Sequence, residues 1–218
     1  MRRTLPSILV TAGPTREYID PTRFISNPSS GKMGYLIAEA ARKAGCQVLL
    51  ISGPTNLKPI PVKTIHVISA QDMFRAVQGH FKKFNVLVMA AAVSDYRPKI
   101  LYSKKIKKGK RIKTLKLIPN PDILSWASKH KKTHLLVGFA AETDQVLANA
   151  EKKLVKKKLD MIVANRVGQE NAGFESDKIE FSIVDSIDVP RPLSICKKEK
   201  LARQIVRIIL KKMSTLNF

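Results

Sequence analysis

The sequence predicts an α/β fold: a mostly parallel sheet with helices on both faces, interrupted by one basic flap insertion. Three observations carry that prediction. Short apolar, β-branched runs alternate with stretches whose apolar residues recur three and four positions apart, which is the pattern of repeated βαβ units. Residues 99–116 break the alternation with nine Lys or Arg and no acid. The chain has 218 residues, 44% hydrophobic, with 10 Gly and 12 Pro, so a single domain over 1–218 with one core is expected, and a disordered tail or a collagen-like fibre is excluded.

Taken in order, Ser7-Ile8-Leu9-Val10-Thr11, closed by Ala12-Gly13-Pro14, reads as a buried strand ending in a turn. A long polar loop runs from Gly13 to Gly31. A helix is expected to begin at Ser29-Ser30-Gly31 and to pass through Met33, Leu36, Ile37, Ala40 and Ala41 to a stop at Gly45. Val48 to Ile51 and Thr64 to Ile68 read as strands, Ala70 to Phe81 as a helix, and Val86 to Val93 as an apolar strand. The flap over 99–116 has no core-forming run and is expected to be a mobile excursion. Beyond it, His134 to Phe139 is a strand, Thr143 to Lys158 a basic helix, and Met161 to Ala164 and Ile179 to Val184 are strands. Lys197 to Met213 is an amphipathic helix with Leu201, Ile205, Ile208, Ile209 and Met213 on one face. In such a Rossmann-like sheet, ligands bind where loops leave the carboxyl ends of the strands. The loops concerned are Gly13 to Gly31, Ala91 to Pro98, Phe139 to Asp144, and Asn165 onwards.

Lys and Arg total 40 against 17 Asp and Glu, a formal charge of +23, which attracts a polyanion or an anionic substrate without saying which. Cys46 and Cys196 have no CxxC spacing and no neighbouring histidine, so neither a disulfide framework nor a zinc site is indicated; buried free thiols in a reducing cytosol are expected. No apolar run has the length of a signal segment or a membrane span, so the expectation is a soluble, cytoplasmic protein without membrane partners. His66, His80, His130 and His134 show no metal or triad pattern.

Four segments carry candidate chemistry. Ser29-Ser30-Gly31-Lys32-Met33-Gly34 puts small residues at a helix start, suited either to an anion or to capping by Ser29 or Ser30; it is neither a phosphate-binding P-loop nor a dinucleotide fingerprint. Lys104-Lys105-Ile106-Lys107-Lys108 is a solvated run, a nucleic-acid contact, or a set of ammonium groups able to close on a polyphosphate. Asp122, in Asn120-Pro121-Asp122-Ile123-Leu124, is placed to cap a helix or to accept from a ligand. Asp95, just past a strand end, can serve a ligand, a metal ion or Arg97.

Together these segments resemble one family, the phosphopantothenoylcysteine synthetases of coenzyme A biosynthesis, the bacterial kind in particular. The resemblance runs from about residue 7 to 184. It includes Thr11-Ala12-Gly13-Pro14-Thr15-Arg16-Glu17, Asp20-Pro21, Arg23-Phe24-Ile25-Ser26-Asn27, Ser29 to Gly34, Ala91 to Arg97, Lys105 to Lys108, Asn120 to Ile123, Gly138-Phe139-Ala140-Ala141-Glu142-Thr143 and Ala164-Asn165. It implies a stand-alone synthetase, with a separate phosphopantothenoylcysteine decarboxylase acting next. The implied reaction uses CTP as co-substrate, with Mg²⁺, to convert 4'-phosphopantothenate to an acyl-cytidylate that cysteine then captures; no protein ligand for the metal is nominated. By the same resemblance Lys105 contacts the triphosphate and Asn27 holds the acyl-cytidylate. Arg23, Ser30, Gly31 and Ala92 line the substrate site, while Ala91, Asp95, Pro121, Asp122, Ile123, Leu124, Phe139, Lys153 and Lys157 match nucleotide-binding positions. Lys153 and Lys157 are four apart and so share one helix face. A homodimer with an interface after Asp95 is implied as well. Two features depart from the family pattern: Pro28 follows Asn27, and Lys197, Lys198, Lys200, Lys211, Lys212, Arg203 and Arg207 form a basic surplus read as a solvated helix. The alternatives are a basic nucleic-acid-binding protein, for which Tyr102 is the only aromatic residue in the flap, and a dinucleotide oxidoreductase, which lacks its glycine fingerprint.

Overall fold

The structure, a computed structural model, describes residues 5–110, 112–168, 177–185 and 192–215. Its elements in chain order are β1 (Ser7–Ala12), β2 (Arg16–Asp20), β3 (Arg23–Ser26), α1 (Lys32–Lys43), β4 (Gln47–Ser52), β5 (Lys63–His66), α2 (Ala70–His80), β6 (Val86–Met89), β7 (Tyr96–Pro98), β8 (Leu117–Pro119), α3 (Ile123–His130), β9 (Leu135–Glu142), α4 (Val146–Lys156), β10 (Met161–Arg166), β11 (Lys178–Asp185), β12 (Ser194–Lys197) and α5 (Lys198–Thr215).

The central sheet has the order β12-β11-β10-β9-β6-β1-β4-β5. From β10 to β5 every neighbouring pair is parallel, and β11 and β12 add on antiparallel. Parallel strands covered on both faces must be apolar on both, and β1 complies: Ile8, Leu9 and Val10 are all fully buried. Successive side chains alternate between faces. Ile8 and Val10 join Ile37 and Ala41 of α1 and Leu201 and Ile205 of α5; Leu9 joins Met73 of α2, Leu124 of α3 and Ala150 of α4. The expected Rossmann-like layering is therefore present, with two helices on one face and three on the other. Gly34 seats α1 against β1: a Cβ there would lie 2.5 Å from the Ala12 Cβ and 2.8 Å from the Thr11 carbonyl oxygen.

Several expectations change. The polar loop after β1 contains an antiparallel hairpin, β2 with β3. Its strands are short and charged, and they are ordered by partners such as buried Glu17, which accepts from the Ala70 N–H at the start of α2 (2.8 Å). The expected strand Val86 to Val93 stops at Met89, because the backbone beyond it turns to bond across β1: Ala91 N–H to Thr11 Oγ1 (3.2 Å), Ala92 N–H to Gly13 O (2.9 Å) and Ser94 N–H to Thr15 Oγ1 (3.0 Å). The helix expected from Thr143 starts at Val146, since β9 pairs with β10 as far as Glu142. The flap has the expected bounds: Lys99 N–H bonds Lys116 O (2.8 Å), just inside the antiparallel pair β7 and β8. Edge strand β12, with only four residues, was not anticipated. Both cysteines are free; Cys46 is buried, while Cys196, on β12, is only half-buried.

Candidate functional site

Two adjoining cavities, each of about 450 Å³, open at the carboxyl ends of the parallel strands. Both are lined by Ala91, Val93, Asp95, Phe139 and Lys153, so the two cavities share a wall.

The first is bounded by Asn120 to Leu124 on one side and by Lys153 and Lys157, at the end of α4, on the other. Lys153 Nζ donates to Phe139 O (2.7 Å). Lys157 Nζ donates to Asp122 Oδ1 (3.0 Å) and lies 2.9 Å from Oδ2. Asp122 also caps α3, accepting from the Ser125 N–H (3.0 Å) and hydroxyl (2.8 Å), so the capping reading holds and the carboxylate faces the cavity as well. Burial pushes the Lys153 ammonium below its ordinary value, and the charge of Lys157 adds to that against Glu142, Asp122 and Asp95. Burial would raise Asp122, but hydrogen bonds from Ser125 and Lys157 outweigh it and hold the carboxyl below the usual range.

Asp95 is not engaged by Arg97, whose Nη1 donates to Pro119 O (2.6 Å) and Asn120 Oδ1 (3.0 Å) instead. Asn120 joins the two sides of the cavity mouth, donating from its side chain to Ser94 O (2.9 Å) and from its backbone to Asp95 O (2.8 Å).

The second cavity is lined by Asn27, Ser30, Gly31, Lys32, Ala92, Asn165, Arg166 and Lys198, among others. Asn27 Nδ2 donates to Ala92 O (3.3 Å) and Val93 O (3.2 Å), which fixes its amide over the loop after β6. The helix cap expected of Ser29 or Ser30 falls to Gly31, at φ 77°, with no side-chain cap bond. A side chain there would be strained and would meet Thr55 Cγ2 at 2.7 Å and the Gly13 backbone at 3.0 Å. The serine hydroxyls instead accept from Gly31 N–H (Ser29, 3.3 Å) and Lys32 N–H (Ser30, 3.4 Å).

Arg23 and Lys105 line neither cavity. Arg23 Nη1 is bound to Asp20 Oδ2 (2.8 Å) and to Ile106 O (3.1 Å), midway along the flap.

Sequence reasoning included Asn120 and Lys32 in candidate segments without singling them out, and it missed Arg166 and Lys198. Lys198 was expected on a solvated basic face, yet it is 4% exposed and lines the second cavity. Burial, aided by the charge of Lys32, depresses its ammonium against Asp177 and Glu199. The signal was present: Lys198 stands three and four positions before Leu201 and Ala202, on the apolar stripe of α5. Lys32 pairs with Asp177 (2.5 Å). Among the described residues no three His, Cys, Asp or Glu side chains converge on a metal position, and no helix is long and apolar enough to cross a membrane. None of the four histidines lines either cavity.

A family model described as the DNA/pantothenate metabolism flavoprotein C-terminal domain matches residues 5–213. The chain belongs to this family. The chain is 49% identical over 175 residues to the coenzyme A biosynthesis bifunctional protein CoaBC of Vibrio parahaemolyticus, covering 78% of this chain and 44% of that protein. It is 43% identical over 204 residues to CoaBC of Bacillus subtilis, covering 93% and 50%. The chain spans about half the length of the curated relatives it matches. A crystal structure of the C-terminal domain of CoaBC superposes with a TM-score of 0.81 at 41% identity, covering 96% of each chain. These relatives give no support to the nucleic-acid-binding alternative.

Proposed function

We propose that the chain is a phosphopantothenate–cysteine ligase. The observation that carries the reading is the pair of cavities sharing Phe139, Lys153 and Asp95, one with the ammonium groups of Lys153 and Lys157 along one side, the other holding a fixed amide. Its likeness to the C-terminal halves of coenzyme A biosynthesis proteins supports the same assignment.

In this reading CTP occupies the first cavity. Pro121 to Leu124, Asp95 and Ala91 hold the cytidine nucleotide, and Lys153 and Lys157 neutralise its phosphates. The 4'-phosphopantothenate lies in the second cavity, along Ala92, Ser30 and Gly31; Arg23, which lines neither cavity, is assigned to the same substrate on the family resemblance alone. One carboxylate oxygen attacks the α-phosphorus and pyrophosphate departs, leaving the acyl-cytidylate. Two anions meet in this step, so cations close by are essential, and Lys105 is the flap's contribution. The amine of cysteine then attacks the acyl carbon. Asn27 donates to the developing oxyanion without titrating, CMP leaves, and the amine loses its extra proton to give the amide. Magnesium, when bound, shields phosphate charge; since no protein cage of carboxylates is formed among the described residues, it is assigned to the nucleotide.

A homodimer belongs to the same proposal. Tyr96, Ile100, Leu101, Tyr102 and Leu117 form an exposed apolar ribbon after Asp95, which a second copy would cover. In this reading the enzyme works in the cytoplasm, and a phosphopantothenoylcysteine decarboxylase activity would consume its product. The test is to supply purified protein with CTP, Mg²⁺, 4'-phosphopantothenate and cysteine, in full and with each omitted. The expected result is turnover to phosphopantothenoylcysteine, CMP and pyrophosphate that requires all four. Silence with both CTP and ATP would refute the proposal.

A further inference from the structure

The middle of the flap rests on a carboxylate that the reaction outlined above leaves without a role. Asp20, the last residue of β2, has no exposed surface, although Pro21, Thr22, Arg23 and Phe24 beside it are exposed. Its two oxygens do different things. Oδ1 accepts from the Thr22 N–H (2.8 Å), the Thr22 hydroxyl (2.8 Å) and the Arg23 N–H (2.9 Å), which shapes the hairpin turn and is ordinary work for an Asp in a turn. Oδ2 reaches across 86 positions of sequence to accept from the Ile106 N–H (3.1 Å), and it also accepts from Arg23 Nη1 (2.8 Å). The same Nη1 donates to Ile106 O (3.1 Å).

Both backbone polar groups of Ile106 are therefore captured by one carboxylate and one guanidinium. Ile106 is half-buried, whereas residues 101–105 and 107–110 around it are exposed. A second tie, Tyr102 N–H to Ile19 O (2.9 Å), holds the ascending limb of the flap to the same strand. A turn alone would be served by an Asp with one oxygen in water. Desolvating the second oxygen is costly unless strong donors repay it, so its burial against Ile106 is an arrangement for the flap.

We propose that Asp20 is a positioning residue that seats the flap at Ile106 and thereby fixes where Lys105, the preceding residue, stands. What Lys105 does once positioned rests on the ligase reading; the seating does not. Burial would raise the Asp20 carboxyl, but the bonds from Thr22, Ile106 and Arg23 hold it well below the usual carboxylate range, so the seat stays charged at neutral pH.

The flap carries its own probe, since Lys104, Lys105, Lys107, Lys108 and Lys110 are trypsin sites. In Asp20→Asn the amide oxygen can keep the turn, and its NH₂ then faces the Ile106 N–H and Arg23 Nη1, donors both. Initial trypsin cleavage within the flap should quicken about tenfold, the scale of one lost hydrogen bond to a charged group. Thr22→Val, which removes only the hydroxyl bond of the turn, should leave that rate unchanged. In the unaltered protein the Ile106 amide should exchange with deuterium more slowly than those of Lys104, Lys105 and Lys107, a readout independent of whether any variant folds. In the ligase assay Asp20→Asn should lower kcat/KM about tenfold on the same scale, and should add nothing further in a Lys105→Ala background. Equal flap cleavage in wild type and Asp20→Asn, unprotected Ile106 exchange, or additive losses in the double variant would each overturn the proposal. Release of the flap by Asp20→Asn in a protein with no ligase activity would instead uphold the seat and sink the ligase reading.

Discussion

Replacing Gly34 with alanine tests how the second cavity is held open. The added methyl would sit 2.5 Å from the Ala12 Cβ, 2.8 Å from the Thr11 carbonyl oxygen and 3.0 Å from the Ala12 Cα. These atoms belong to fully buried residues at the carboxyl end of β1, bonded to β4 alongside, so they have little freedom to yield. Ordinary carbon contacts are about 3.5 Å or longer, so α1 must retreat by about 1 Å. Overpacking on this scale costs up to about 3 kcal/mol, and alanine returns about 1 kcal/mol through its better helix propensity. A net loss of about 2 kcal/mol corresponds to a Tm lower by about 4–8 °C for a chain of this length. Because α1 begins directly after Gly31, its displacement should also weaken substrate binding beyond what the Tm change alone explains. Differential scanning calorimetry with a parallel KM measurement is the assay. An unchanged or raised Tm would refute the packing of α1 against β1 on which the cavity's shape depends.

Four further outcomes are expected. Asp122→Ala removes the cap of α3 and the partner of Lys157, costing about 1 kcal/mol or less; because the folded carboxyl titrates below its unfolded value of 3.8, that stability is present above about pH 4 and fades as pH falls through the folded pKa. Wild-type and variant unfolding curves should therefore differ at pH 7 and converge in acid, and a difference that grew in acid would contradict the assignment. Asn27→Asp should let the acyl-cytidylate accumulate, seen as pyrophosphate released without amide, whereas Lys105→Gln should suppress pyrophosphate release itself; the reverse order would overturn those roles. Leu101→Glu should shift the protein towards monomer in sedimentation velocity while its circular dichroism stays that of the folded protein, and a persistent dimer would exclude the ribbon as the interface. Lys157→Gln should raise the KM for nucleotide about tenfold, the scale of one charge-assisted contact, and an unchanged KM would remove Lys157 from the nucleotide cavity.

The sheet was legible because parallel strands covered on both faces must be continuous apolar runs, and runs such as Ile8-Leu9-Val10 and Leu135-Leu136-Val137 are too short for helices and too apolar for loops. The flap was legible for the opposite reason: nine cations without an acid have no place in a core, and the closing bond between Lys99 and Lys116 falls at the bounds the composition set. The hairpin of β2 and β3 escaped notice because its order comes from specific acceptors, Glu17 and Asp20, rather than from apolar periodicity. Val86 to Val93 read as one strand because alanine and valine are silent about where a backbone leaves the ladder; Thr11 and Thr15, far away in sequence, decide that. The meeting of Asn27 with Ala92 and Val93 spans some 65 positions and is a tertiary fact. Lys198 was lost among its neighbours, since a lysine on an apolar stripe differs from its exposed counterparts only in phase.

The central claim is that the two cavities bring a carboxylate oxygen onto the α-phosphorus of a nucleotide. It is tested most directly by running the reaction with 4'-phosphopantothenate labelled with ¹⁸O in its carboxylate and following the released nucleotide by ³¹P NMR. The account predicts CMP carrying one ¹⁸O, revealed by an isotope-shifted phosphorus resonance, with unlabelled pyrophosphate. Amide formation with unlabelled CMP, or with the label in a released phosphate, would contradict it.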